Sequence, residues 1–381
     1  MAFPVSIDAT VTMHATDEYR PFLSSGGNVY CIQSTALSVG LTAYKATDPS
    51  SSFSSVGTGP VTTITGFSVI QDSDLLHITT FNTTTLIYYY HKFNMATDTW
   101  DTTNESIADV SGKSAPSDVI SSIAYRAVSG DELVVAIRGL IDTVMGTNYE
   151  RVDFYHKNKT ATTWTGPVAI DDAGEVHYSL VGMRSLVLGA SNRVHCVYSD
   201  TVAATQAKTI KTDNTLTTAA DSALASHTRI GAVSFDNSGT QEVRFVTTDT
   251  TNNLYMLQEN TGTGAIEWES TQSIDNIITP VSAWGVEYDT GTTLRAIGTD
   301  LSGDDVMLSS STDGGSTWDT WTDIYTGGTS LSASFSPQVN IYTRNGDKVL
   351  AYIYYDNADP YYSEYVLVAG GGATRRVFLI S

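Results

Sequence analysis

The sequence has few of the residues that mark several large classes of protein. Only two of its 381 residues are cysteines, Cys31 and Cys196, which excludes a disulfide framework and predicts two buried thiols. Charged residues make up 16% and apolar residues 41%, which excludes ordinary disorder and allows a large core. The apolar stretch near the C-terminus is broken by glycines at 370–372 and by Arg375 and Arg376, so it cannot span a bilayer.

Positive charge is also scarce. Twenty Lys and Arg residues stand against 41 Asp and Glu residues, a formal net charge of −21. Nucleic-acid binding needs a basic stripe to neutralise phosphates, and an anionic membrane surface would repel this chain. We therefore expect no nucleic-acid partner and no membrane insertion. The first residues lack a basic region followed by an apolar core, which predicts no secretory signal.

What the chain does have is a composition and a repeat typical of β-structure. It is rich in Thr and Tyr, which favour pleated, half-buried surfaces. Seven segments open with a short apolar run followed by turn residues and two strand patterns, at intervals of 47 to 58 residues. They begin at Arg20, Phe67, Ile120, Tyr178, Ile230, Val281 and Phe335. Repeats of this length predict an all-β, seven-bladed β-propeller over residues 1–369, with six blades as the alternative count.

One turn carries a sharp motif. Residues 311–318 read Ser-Thr-Asp-Gly-Gly-Ser-Thr-Trp. This segment resembles the Asp-box of the sialidase and BNR-repeat propellers, with Ser311, Asp313, Gly315, Thr317 and Trp318 at the fixed positions. The resemblance implies a structural turn on the outer rim, in which the aspartate accepts backbone hydrogen bonds and the glycine takes a positive φ.

Looser copies of this turn end in Trp100, Trp164 and Trp268. A recurrent tryptophan can pack into the core of each blade, or it can stack on the apolar face of a sugar. The sequence favours packing and leaves sugar stacking as the alternative.

A second resemblance lies near the start, where Arg20 and Pro21 lie in a segment similar to the Arg-Ile-Pro motif of sialidases. There the arginine binds the substrate carboxylate, together with two further arginines. Arg138, Arg244 and Arg295 lie in or beside second strands and are the candidates for ligand binding with Arg20. The isoleucine of the motif is missing, no other arginine occurs before Arg126, and no spacing identifies a Tyr–Glu pair. We therefore assign no catalytic residue.

No histidine or cysteine spacing predicts a metal site, and no glycine-rich loop predicts a nucleotide, so we expect no metal and no cofactor. The first interpretation is a non-catalytic recognition or structural module that binds a surface glycan or a protein partner. The alternatives are an exo-acting sialidase-type glycoside hydrolase and a free lectin. The composition and the decayed repeats are similar to those of propellers carried on bacteriophage particles, which implies a place in a virion.

The two chain ends compete for one structural role. Residues 5–11 alternate between apolar and polar side chains. Residues 374–380 are apolar on both faces and follow three glycines at 370–372; we treat 370–381 as one segment, a glycine hinge with a C-terminal tail. Either end could supply the outer strand of the last blade. The sharper hypothesis is that the N-terminal strand closes the ring and the C-terminal tail docks on a neighbouring subunit by strand addition.

Overall fold

A computed structural model gives the architecture of the chain. It describes residues 5–7, 19–34, 40–48, 50, 52–60, 63–111, 121–127, 130–144, 147–170, 186–199, 204–211, 213–218, 224–225, 229–237, 240–248, 254–260, 265–267, 281–300, 305–326, 331, 338–356 and 359–368.

The described residues form seven antiparallel sheets, which we number blades 1 to 7 along the chain. Blade 1 contains Phe22–Leu23, Val29–Ser34, Leu41–Ala46 and Ser54–Thr58; blade 2 contains Ile64–Asp72, Leu75–Asn82, Ile87–Asn94, Thr99–Trp100 and Glu105–Asp109. Blade 3 contains Ser121–Arg126, Glu132–Val144, Thr147–Asn158 and Thr165–Ala169; blade 4 contains Leu186–Leu188, Val194–Ser199, Ala204–Ile210, Leu216–Thr218 and Leu224–Ala225. Blade 5 contains Arg229–Asn237, Thr240–Thr248, Leu254–Asn260 and Ala265–Glu267; blade 6 contains Val281–Thr290, Thr293–Asp300, Asp305–Ser311 and Thr322–Tyr325. Blade 7 contains Gln338–Arg344, Asp347–Asp356, Asp359–Val368 and the N-terminal strand Val5–Ser6.

The prediction of an all-β, seven-bladed propeller is confirmed; five blades have four strands, and blades 2 and 4 have a short fifth strand each. The one helical element among the described residues is a 3₁₀ turn at Ala190–Asn192. Each blade is a meander whose first strand lies nearest the centre of the ring. Serine side chains join neighbouring first strands: Ser68 Oγ accepts from Ile123 N at 3.4 Å, and Ser122 Oγ accepts from Leu186 N at 3.0 Å.

The N-terminal strand closes the ring, as the sharper hypothesis predicts. Val5 pairs with Tyr362 and Ser6 with Tyr361, and Ile7 N donates to Pro360 O at 3.0 Å. These contacts give blade 7 its fourth strand. The tail at 374–380 lies outside the described residues.

The core is divided among the interfaces between blades. One buried cluster joins blades 7, 1 and 2, and others join blades 2 and 3, 3 and 4, 5 and 6, and 6 and 7. Cys31 and Cys196 lie in two of these clusters as free, buried thiols, as predicted. Burial raises the pKa of Cys31 to about 12 and also raises the pKa of Cys196.

Three of the recurrent tryptophans pack at or near an interface with the preceding blade. Trp100 of blade 2 donates from Nε1 to the carbonyl of Gly57 in blade 1 at 3.1 Å. Trp164 of blade 3 meets Tyr90 of blade 2 edge to face at 5.5 Å, and Trp318 of blade 6 packs on a cluster that contains Val233 of blade 5. These contacts are packing contacts within the protein, while Trp268 lies outside the described residues.

Candidate functional site

The seven first strands, with their flanking residues, surround a cavity of about 540 Å³ at the centre of the ring. Small-molecule sites typically occupy about 300–1,000 Å³, so the cavity has the size of a ligand site. Every blade contributes to its lining: Arg20 and Phe22; Ile70, Gln71 and Ser73; Ile123, Ala124 and Tyr125; Leu186, Val187 and Leu188; Ser234; Glu287; and Asn340.

The lining is mainly apolar on one side and mainly polar on the other. Blades 2, 3 and 4 contribute an apolar arc that includes Ile70, Ile123 and Leu186, interrupted by the polar side chains of Gln71, Ser73 and Tyr125. Blades 5, 6, 7 and 1 contribute the polar groups Ser234, Glu287, Asn340 and Arg20. A ligand that fits both sides has one apolar face and a rim of hydrogen-bonding groups.

Arg20 is the cationic group of the cavity, and it is held in place from three directions. Its Nη2 donates to the carbonyl of Val69 at 3.2 Å, and its guanidinium lies 5.2 Å from the centre of the Phe22 ring. Its Nη1 lies 3.9 Å from Oε2 of Glu287 in blade 6, which blade 7 separates from blade 1 in the ring. The guanidinium is therefore oriented before any ligand binds.

Two side-chain amides also have fixed orientations. Gln71 Nε2 donates to the carbonyls of Leu23 and Ser73 at 2.8 and 2.7 Å. Asn340 Nδ2 donates to the carbonyl of Pro21 at 3.0 Å, which joins blade 7 to blade 1 beside the cavity. In each amide the nitrogen has a protein partner, and the oxygen is the atom suited to accept from a ligand.

Tyr125 lies at the edge of the cavity beside charged groups. Desolvation, followed by its hydrogen bond with Asp131, raises the pKa of this phenol. Lys159 Nζ lies 5.4 Å from the centre of the Tyr125 ring and forms an ion pair with Asp72. The phenol is neutral at pH 7 and can serve as a donor or an acceptor.

Of the three candidate arginines whose side chains the structure describes, Arg20 is the one that lines the cavity. Arg244 lies between blades 5 and 6: its Nε donates to Gly314 O at 2.9 Å and its Nη2 to Glu242 Oε2 at 2.7 Å. Arg295 binds Asp289 Oδ2 through Nε and Nη2, at 2.9 and 2.7 Å. The side chain of Arg138 lies outside the described residues, although its backbone pairs with Val152 in blade 3.

The turn at 311–318 is closed by its own hydrogen bonds. Asp313 accepts from Thr317 N at 2.8 Å and from Thr317 Oγ1 at 2.6 Å, and Ser311 Oγ accepts from Gly315 N at 2.7 Å. Gly315 has φ 92°, and its carbonyl accepts from Trp318 Nε1 at 3.0 Å. Partial burial acts to raise the pKa of Asp313, but the bonds from Thr317 and Ser311 outweigh it and lower that pKa. The turn lies outside the cavity lining.

The sequence interpretation missed most of the cavity. Glu287, Asn340 and Tyr125 each lie five or six positions after the start of a repeat segment. Comparing that position across the seven segments would have found them, whereas a search for arginines could not. Among the described residues no group of three or more His, Cys, Asp or Glu side chains is placed to hold a metal ion. No helix in the described part of the chain is long and apolar enough to cross a membrane.

The chain matches no protein-family model and no curated protein sequence. It is similar to solved propellers. The BP39L lectin from Burkholderia pseudomallei matches with a TM-score of 0.62 and 10% identity, over 92% of this chain and 97% of that one. What they share is the fold.

Two further solved structures extend this likeness. The Hadza microbial sialidase Hz136 matches with a TM-score of 0.53 and 11% identity, over 89% of this chain and 76% of that one. AofleA from Arthrobotrys oligospora matches with a TM-score of 0.51 and 10% identity, over 85% of this chain and 95% of that one. The same architecture thus occurs in a lectin and in a sialidase, and the distinction between them depends on the site.

Proposed function

We propose that the protein is a non-catalytic recognition module that binds a glycan in the central cavity. The two-sided lining carries this proposal. A pyranose ring has an apolar face of C–H groups and a rim of hydroxyls, which match the apolar arc of blades 2 to 4 and the polar groups of the other blades. The lectin among the similar structures supports the same class of ligand.

The partners of the other arginines support the absence of catalysis. A sialidase-type site needs several arginines on one substrate carboxylate. Arg244 and Arg295 instead bind Glu242 and Asp289, at 2.7 Å through Nη2 in each case. The sialidase alternative would need Arg20 to act without these two residues.

A glycan array with purified protein tests the proposal. The wild type should bind defined glycans, and binding should be lost in Arg20→Ala, which removes the oriented guanidinium, and in Ser234→Trp, which fills the cavity without changing its charge. Arg193→Ala is the matched control, because Arg193 donates to Ala190 O at 3.1 Å away from the cavity. Glycan binding that survives both cavity variants, with melting temperatures unchanged, would place the ligand elsewhere.

A fluorogenic sialoside separates the recognition module from the enzyme. We expect no turnover by the wild type at any pH between 4 and 8, the range in which the carboxylates of glycosidases operate. Turnover that disappears in Arg20→Ala, with folding intact, would make the sialidase-type hydrolase the correct function.

We further propose that the module is carried on a virion or a comparable assembly, and that residues 370–381 are its attachment. The N-terminal strand already supplies the fourth strand of blade 7, which supports a tail that is not needed for ring closure. The paired arginines of the tail suit the acidic surface of a chain with charge −21.

Deleting residues 371–381 tests the attachment. The melting temperature should stay within about 2 °C of the wild type, because less than about 1 kcal/mol of propeller stability should be lost. The native mass should fall to that of a monomer. Unfolding of the truncated protein would show instead that the tail belongs to the propeller.

A further inference from the structure

Among the described residues that line the central cavity, Arg20 and Glu287 are the charged ones, and their charged groups lie 3.9 Å apart. Both side chains are mostly buried, with exposed fractions of 14% and 15%. One lies beside the first strand of blade 1 and the other in the first strand of blade 6. The pairing is therefore made by the ring itself rather than by neighbours in one blade.

We propose that this pair makes the cavity selective for an uncharged sugar and excludes acidic sugars. The inference rests on the proposed function and names the ligand class of the same site. A sugar carboxylate that approached Arg20 would have to compete with Glu287 for the guanidinium, and would lie close to a second negative charge in a partly desolvated space. A hydroxyl group meets neither penalty.

The remaining contacts of Arg20 support the same conclusion. Binding of a carboxylate by arginine is strongest when two N–H groups point at its two oxygens. Here Nη2 is directed at Val69 O at 3.2 Å, Nη1 faces Glu287, and the plane of the group lies over Phe22. Two of the three guanidinium nitrogens therefore already face a carbonyl or a carboxylate of the protein.

The lysine beside Tyr125, at the edge of the cavity, is already balanced by a carboxylate and does not take over the role of Arg20. Lys159 near Tyr125 is paired with Asp72. The other groups of the lining with polar side chains are amides and hydroxyls, which suit the hydroxyls of a neutral sugar as donors and acceptors.

Neutralising Glu287 should therefore reverse the selectivity. We expect Glu287→Gln to raise the affinity for glucuronate at least about tenfold, a change of about 1.4 kcal/mol, while the affinity for neutral glycans changes less than about threefold. Glu242→Gln is the matched control. It removes the same unit of charge from the protein, but Glu242 binds Arg244 outside the cavity. Circular dichroism establishes that each variant is folded.

The measurements are a glycan array of neutral and acidic sugars and a calorimetric titration with free glucuronate. Neutral binding by the wild type and a gain of glucuronate binding in Glu287→Gln alone support the inference. A wild type that prefers acidic glycans, or a Glu287→Gln variant with unchanged selectivity, overturns it and leaves glycan binding intact. No binding of any glycan by the wild type, with a gain of glucuronate binding in Glu287→Gln, supports the charge pairing and overturns the proposed function.

Discussion

The turn between the third and fourth strands is built differently in blades 6 and 2, although both turns place a tryptophan in a cluster or contact that includes the preceding blade. In blade 6 Asp313 bonds within its own turn, to Thr317. In blade 2 Asp98 reaches into blade 1 instead, where its carboxylate accepts from Tyr30 Oη and Lys45 Nζ, each at 2.7 Å. The comparison shows that the tryptophan contact is the common feature, and that the hydrogen bonds supporting it can come from the turn or from the neighbouring blade.

Blade 3 resembles blade 2 in this respect. Lys157 and Lys159, which flank the end of its third strand, pair with Glu105 and Asp72 of blade 2. The motif at 311–318 is thus one of two ways to position the tryptophan that follows the third strand of a blade. Loss of the motif in the other blades therefore does not mean loss of the interface.

The largest expected effect comes from the tryptophans themselves. Trp100→Ala, Trp164→Ala and Trp318→Ala should each lower the free energy of unfolding by about 3 kcal/mol, at the lower end for large aromatic truncations because all three rings are half-buried. Guanidinium denaturation measures this loss. A Trp318→Ala variant with wild-type stability would contradict the role of the turn in packing.

Phenylalanine substitutions are the matched controls. Trp100→Phe and Trp318→Phe lose the Nε1 bonds to Gly57 and Gly315, at a cost of about 1 kcal/mol each. Trp164→Phe should cost less, because no described residue accepts from Trp164 Nε1.

A pH effect of intermediate size should distinguish blade 2 from blade 6. Desolvation lowers the pKa of both His77 and His91 in blade 2 to about 4, against an ordinary value of 6.5. The unfolded chain binds more protons than the folded chain between these values, so stability should fall as the pH drops from about 6.5 to 4. At pH 5 the loss should be on the order of 2 kcal/mol per histidine.

Hydrogen exchange at pH 5 and 7 measures where this loss occurs. Amides of blade 2 should lose protection at pH 5, whereas blade 6, which has no histidine, should not. His91→Asn should remove part of the pH dependence. Equal losses in the two blades would contradict the assignment to buried histidines.

The smallest effect concerns the two aspartates. Asp98→Ala and Asp313→Ala should each cost about 1 kcal/mol, because both carboxylates are partly exposed. The Asp98 ion pair is screened by salt, so the cost of Asp98→Ala should shrink in 1 M NaCl while that of Asp313→Ala should not. Urea denaturation at both salt concentrations measures the difference, and an identical salt response would remove the distinction between the two turns.

The fold was predictable because each blade is encoded by a local sequence pattern that recurs along the chain. The openings at Phe67 and Val281 mark first strands, and the Asn345-Gly346 pair marks a hairpin whose glycine has φ 87°. The site was less predictable, because it depends on which strands become neighbours across the ring. Nothing local to Arg20 shows that Glu287 will lie beside it, since their contact exists only after the ring has closed.

The same closure bears on how the protein is made. Val5 pairs with Tyr362, so more than 350 residues of chain separate the two strands that close the ring. The final blade therefore cannot be completed until Tyr362 has been synthesised, and until then one interface of the early blades stays open. During that interval the N-terminal strand Val5–Ser6 has no partner from the last blade. An unpaired strand edge can pair with another chain, so nascent chains of this kind need protection from pairing with each other.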